Sequence, residues 1–374
     1  MGKIVKIDHM MAVRKLMVKK ARQAIHIMLC LAALSGFLFG TTPASAARVE
    51  DLECTYIVPE SVNVIDGAKN YTGVKPGDVF CLTAGVRGNL KLVNLHGDAL
   101  NWIVVKNTGG QVIISGHDFL TGGIGIEDSS YLRVTGSGVS NKCGAEYSPE
   151  EMECGIEVGD THKGIKLNTG ELLNHIELDH LFVHDTNPVT KTRGIAIHPH
   201  EGELISGIYI HHNYVLDTLA EGIYIGTEPH GREFDVLGKL ENVEVSYNRV
   251  ENIGYDGIKL KVAFNNVKVH HNMILNVGTT RTPAHEGGIK IAMSVGEFYN
   301  NFIMTDVEGI RNGRPLDETQ TRYYNNVVIG AQDVGIEALE DNAMIYNNTV
   351  INSGALGINA EGKNSQVFNN IIAG

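Results

Sequence analysis

The chain has 374 residues and a formal net charge of −12 at neutral pH, from 43 acidic against 31 basic residues. So acidic a surface repels nucleic acid and anionic membranes, and it suits an anionic polymer only where the charge is locally reversed. Length alone does not fix the domain count, because solenoids of this size run as single domains.

Seven basic residues (Lys3, Lys6, Arg14, Lys15, Lys19, Lys20 and Arg22) precede an apolar run from Ile25 to Phe39 and a small-residue end, Ala44-Ser45-Ala46. That order predicts a secretory signal peptide over residues 1–46, with an uncleaved anchor as the competing reading. The mature protein is then secreted or periplasmic, has no integral membrane span, and is more acidic still. Four of the five Cys remain in it, Cys54, Cys81, Cys143 and Cys154. An even number in an exported chain fits two disulfides, and Cys143 with Cys154, which closes a short loop, is the expected pair. No Cys/His zinc spacing is present in the sequence.

Residues 47–75 read as an N-terminal cap or entry segment with room for a short helix, and Val74 to Val79, Asn89 to Leu92 and Trp102 to Val105 as the first coils. From about residue 120 onward one phrase repeats with variations. An alternating strand runs into Asn at Asn213, Asn248, Asn272, Asn301, Asn326, Asn348 and Asn370, at intervals of roughly 22 to 35 residues. In phase with it run Gly155-Ile156-Glu157-Val158, Gly194-Ile195-Ala196-Ile197, Gly222-Ile223-Tyr224-Ile225, Gly257-Ile258-Lys259-Leu260, Gly288-Ile289-Lys290-Ile291, Gly309-Ile310-Arg311 and Gly335-Ile336-Glu337. Each is a short strand with Ile inward and the middle residue outward. Asn accepts the left-handed backbone of a tight corner, and its amide can bond the Asn one coil on, so a stacked Asn ladder is expected. Period-two alternation with abundant Gly and Asn excludes a helical repeat.

This pattern resembles the pectin lyase-like superfamily. The resemblance implies an all-β, right-handed single-stranded parallel β-helix over residues 76–374. The chain stops at Asn370-Ile371-Ile372-Ala373-Gly374 in mid-coil, which predicts further coils beyond it. The polygalacturonase-type Asn-Thr-Asp, Asp-Asp, Gly-His-Gly and Arg-Ile-Lys strings and the pectate lyase Trp-Ile-Asp-His string are missing.

In families of this fold catalysis sits on the outward face of the Gly-Ile sheet. Its middle positions form a ladder of Glu157, Ala196, Tyr224, Lys259, Lys290, Arg311 and Glu337, about 4.8 Å apart. Lys259, Lys290 and Arg311 make a basic stripe, with His198 and Lys261 pointing the same way. Such a stripe suits a uronic-acid polymer, because removing the proton beside a carboxylate creates an enolate-like dianion that cations must neutralise. Lyases of the chondroitinase B and alginate lyase type use a Lys base and an Arg acid on successive coils; Lys290 and Arg311 look similar, and Lys259, desolvated beside other cations, is the competing base. The blander reading is a solvated strand face.

Arg193 opens the string through His198-Pro199-His200-Glu201, which is similar to the Asp-Pro-His-Asp motif of alginate C5-epimerases at Pro and His only. It offers His200 as base or neutraliser and Tyr224 as proton donor, with Tyr224, His198, Lys261 and Arg193 as candidate substrate-binding residues. Glu221, Asp256 and Glu308 flank the stripe as calcium ligands, as salt-bridge partners or as a hydrolase pair. His211-His212 and His270-His271 read as turn and stacking residues, and His184-Asp185 stays ambiguous. These expectations amount to a carbohydrate-active enzyme on an acidic polysaccharide, a lyase first, with Ca²⁺ the one cofactor in view. A C5-epimerase, a glycoside hydrolase and a non-catalytic adhesin solenoid are the alternatives.

Overall fold

The computed structural model describes residues 48–116, 122–161, 163–185, 192–227, 236–314, 316 and 320–374. The leader expected over residues 1–46 lies outside them.

Thirty strands among these residues follow a single 3-10 turn, Val49–Asp51, and their pairings are parallel. The chain visits three faces per coil. The first sheet carries Val64–Asp66, Leu90–Val93, the starts of Ile124–Thr135 and Ile165–Asp179, then Ile195–Ile197, Ile223–Ile225, Ile258–Lys261, Gly287–Ala292, Glu308–Arg314, Val334–Ala338 and Leu356–Ala360. The second holds Leu204–His211, Lys239–Ser246 and Ala263–His270; the third, beyond a corner, holds Tyr214–Leu216, Arg249–Glu251 and Met273–Leu275. Because every coil repeats the inward Ile, Val or Leu, their side chains stack into one continuous core from Val58 to Val350, each contributing about 1.5–3 kcal/mol by its burial.

The corner between the second and third sheets explains the recurrent Asn. Nδ2 of Asn213 donates to Oδ1 of Asn248 at 3.0 Å, and the pattern continues through Asn272, Asn301, Asn326, Asn348 and Asn370. The same Oδ1 also accepts the backbone N–H of the preceding ladder Asn, as Asn248 Oδ1 does from Asn213 at 3.1 Å. The expected left-handed residue is displaced by one position. It is the residue before each Asn that has φ near +55°, at His212, Tyr247, His271, Asn300, Asn325, Asn347 and Asn369. At the first three, the side chains thrown outward stack, with ring centroids 4.9 Å apart for His212 and Tyr247 and 4.7 Å for Tyr247 and His271.

Two disulfides pin the N-terminal half. Cys143–Cys154 is the expected pair, and Cys54–Cys81 ties the incoming segment to the strand Val79–Arg87. In the cap or entry segment, Tyr56–Val58 and Val64–Asp66 already pair in register with the next coil, and its described helical turn is the 3-10 turn Val49–Asp51.

Candidate active site on the first sheet

The outward middle positions of the first sheet lie in strict register: Lys91, Gly125, Lys166, Ala196, Tyr224, Lys259, Lys290, Arg311, Glu337 and Asn359. From Ala196 to Glu337 this is the expected ladder. Glu157 is the correction: it pairs with Ile113 and Phe182 on the third sheet and bonds His184 Nε2 at 3.1 Å. Its place is taken by Lys166, from Gly164-Ile165-Lys166-Leu167.

Tyr224 is the centre of the face. Its ring has the Arg193 guanidinium 4.6 Å from its centroid, Lys259 Nζ at 5.4 Å, Lys261 Nζ at 6.0 Å, and the His198 ring edge-on at 4.6 Å. Gly226, two residues on, has φ +126°, and a Cβ there would collide with the Lys261 carbonyl, so only glycine lets the two strands meet beside Tyr224. His198 lies close to the Gly226 carbonyl, Nδ1 to O 3.0 Å; burial first, then the charge of Arg193, pulls its imidazole down to about 4. It is therefore neutral at physiological pH and able to accept a proton. Lys163 and Lys166 extend the cationic patch: burial, then the charges of Lys166 and Arg193, pulls the Lys163 ammonium down.

The residues that precede the strand glycines wall this face. Glu221 accepts from Lys259 Nζ at 2.9 Å through Oε1 and from Arg193 Nε at 2.9 Å through Oε2. Asp256 Oδ2 lies 3.1 Å from the same Nζ, while its Oδ1 accepts the Gly287 N–H. A third partner, unforeseen in the sequence, is His285, whose Nδ1 sits 3.0 Å from Lys259 Nζ and whose ring packs on Tyr255 at 4.7 Å. Lys259 is thus buried, with 1% of its side chain exposed. Burial works against its charge, but Asp256 and Glu221 outweigh that and leave its pKa raised; the expected lowering, argued from neighbouring cations, is reversed. Glu221 goes the other way: burial opposes its ionisation, and His285, Lys259 and Arg193 more than compensate.

Lys290 and Arg311 are neighbours as expected, with side chains 14% and 32% exposed. Both meet Glu308: Lys290 Nζ at 3.7 Å, and Arg311 through Nη1, while Arg311 Nε also lies 2.6 Å from Glu337. Burial pushes the Glu308 carboxyl up against the pull of Lys290 and Arg311. Glu221, Asp256 and Glu308 therefore do not fit calcium as one ligand set. The first two converge on an ammonium with His285, and the third faces Lys290 and Arg311. His200 is exposed on the following loop, where its backbone N–H donates to Glu203 at 2.7 Å.

The sequence family described as "Right handed beta helix region" matches residues 101–303, more than half of the chain. The protein belongs to that family. No curated protein matches it. Among solved structures, this right-handed β-helix is similar to an alginate lyase from Paenibacillus sp. str. FPU-7, at 17% identity and a TM-score of 0.54 over 86% of this chain and 99% of that one. It is also similar to pectate lyase Pel9A, at 12% and 0.55 over 86% and 81%, and to GH136 lacto-N-biosidase from Eubacterium ramulus, at 14% and 0.50 over 86% and 68%. At these identities the likeness is one of fold.

Within this β-helix, then, two groups form on one face. Arg193, His198, Tyr224, Lys259 and Lys261 gather around one ring, and Lys290, Arg311 and Glu308 continue the track one and two coils on. Among the described residues no helix is long and apolar enough to cross a membrane.

Proposed function

We propose that the protein is an exported carbohydrate-active enzyme that cleaves a uronate-containing polysaccharide by β-elimination at the Tyr224 centre. The observation that carries this reading is a phenol enclosed by three cations beside an imidazole held neutral.

Removing the proton next to a uronate carboxylate pushes an electron pair into the carboxyl group. The resulting dianion is stabilised by preorganised positive charge. His198 takes that proton. Arg193, which reaches solvent and covers the Tyr224 ring, receives the carboxylate and brings the polymer onto the phenol; Lys259 and Lys261 supply charge from below. As the carbon–oxygen bond to the next sugar breaks, the departing oxygen takes the Tyr224 proton and an unsaturated uronate end remains. Lys290 and Arg311 bind carboxylates of neighbouring sugars. The acidity of the rest of the chain confines anion binding to this stripe, and the fold shared with alginate and pectate lyases supports the assignment. The predicted leader and the two disulfides support an extracytoplasmic location.

An epimerase shares the first step and returns the proton to the carbon instead. A hydrolase needs two carboxylates free to act as acid and base, whereas Glu221 and Asp256 are both committed to Lys259. The test is incubation with alginate, pectate, chondroitin or dermatan sulfate, and heparin, following ultraviolet-absorbing unsaturated ends and new reducing ends together. Both rising in step on one polymer supports elimination. Reducing ends alone would establish hydrolysis, and silence in both would overturn cleavage altogether.

A further inference from the structure

Glu221, Asp256 and His285 make a metal-site geometry, since one donor atom of each lies within 4.8 Å of the other two. Two carboxylate oxygens and one imidazole nitrogen are the donors that Mn²⁺ or Zn²⁺ accepts. Yet the point on which they converge is filled from within the chain. Lys259 Nζ stands 2.9 Å from Glu221, 3.1 Å from Asp256 and 3.0 Å from His285, donating a hydrogen bond to Glu221 and forming an ion pair with Asp256.

We propose that Lys259 is the built-in cation of this site, occupying the place of a divalent metal ion and holding Glu221, Asp256 and His285 in fixed positions without one. Three features of the surroundings agree. The carboxylates are almost fully buried, at 1% and 0% exposure, and two buried anions this close need a counter-ion. Arg193 supplies the second positive charge on Glu221 from the solvent side, so the pair of acids is balanced by a pair of bases. The strand position that follows Asp256 in register with Glu308 is Gly287, which has no side chain to offer as a third ligand. None of this depends on which reaction the site performs.

The experiment is a Mn²⁺ titration of the full mature chain, read by electron paramagnetic resonance, on wild type, Lys259→Ala, Lys259→Arg and the double variant Lys259→Ala with Glu221→Gln. Wild type and Lys259→Arg should show no saturable site, and Lys259→Ala should gain one Mn²⁺ per chain, bound at least tenfold more tightly than by the double variant. If Lys259→Ala folds only when Mn²⁺ is added, the inference is equally supported. Two results overturn it: one saturable Mn²⁺ or Ca²⁺ in wild type that Glu221→Gln abolishes, or a folded Lys259→Ala with no site. Should Lys259→Ala fold under no condition, the wild-type titration still decides, because a saturable ion there is incompatible with an ammonium in its place.

Discussion

Lys259 Nζ lies 2.9 Å from Glu221 Oε1, with both side chains 1% exposed. A buried pair of this kind is costly to break from one side, because the partner left behind is an uncompensated charge. Glu221→Gln should therefore destabilise the fold by about 3–5 kcal/mol in urea denaturation. Asp306→Asn, which removes the exposed partner of Arg281, should cost less than about 1 kcal/mol. Equal costs for the two would contradict the placement of Glu221.

Stability should also fall in two steps on acidification. His198, His212 and His271 are each pulled from 6.5 to about 4, by burial first and then by neighbouring Arg193, by His211 and His180, and by His270 respectively. Below 6.5 the unfolded chain takes up protons that the folded chain refuses, so stability is lost between pH 6.5 and about 4. Glu221 and Asp179 are depressed carboxylates: burial opposes their charge, and it is outweighed by His285, Lys259 and Arg193 for the first and by His180 and Arg133 for the second. Their contribution is present above the unfolded carboxylate range and disappears as pH drops below it. Thermal melts from pH 7 to 2 should show a gradual loss followed by a steep one; a melting temperature flat from pH 7 to 4 would contradict the histidine assignments.

The Asn ladder predicts a position-dependent cost. Asn272→Ala removes donors to Asn301 and to the Val245 carbonyl, and the acceptor for Asn248. With buried partners stranded, the loss should be on the order of 3 kcal/mol by urea denaturation. Asn370→Ala, at the last rung, should cost markedly less. Equal losses would mean that the ladder does not act through both neighbours.

Lys290 and Tyr224 should separate kinetically. Lys290→Ala removes a binding cation and should raise KM roughly tenfold with kcat retained. Gly226→Ala, through its collision with the Lys261 carbonyl, should lower kcat while the far coils keep their melting behaviour. A kcat loss for Lys290→Ala matching that of a Tyr224 variant would move the proton chemistry down the ladder toward Arg311.

Much of this was legible in the repeats. The Gly-Ile strings located the strands of the first sheet, and recurrent Asn located the ladder. Where strands run through two sheets without a loop, as Ile124–Thr135 and Ile165–Asp179 do, Gly155-Ile156 and Gly164-Ile165 carry the same signal, yet the former sits on the third sheet and the latter on the first. Side-chain alternation also reads Lys259 as exposed, since it reports the outward direction alone. What buries it are Glu221, Asp256 and His285, held in the stretches before the strands. Glu221 and Asp256 were visible as flanking acids, but His285 lies in a segment outside the repeat, so no spacing pointed to it.

The most direct test of the central claim is the initial rate at which unsaturated uronate ends appear, for wild type and Tyr224→Phe, on whichever uronate polymer the wild type cleaves. The two proteins differ by one hydroxyl in an unchanged cage. A fall in kcat of about 10²–10⁴-fold with an unchanged melting temperature is the predicted result. A Tyr224→Phe variant as fast as wild type would contradict proton transfer at this centre.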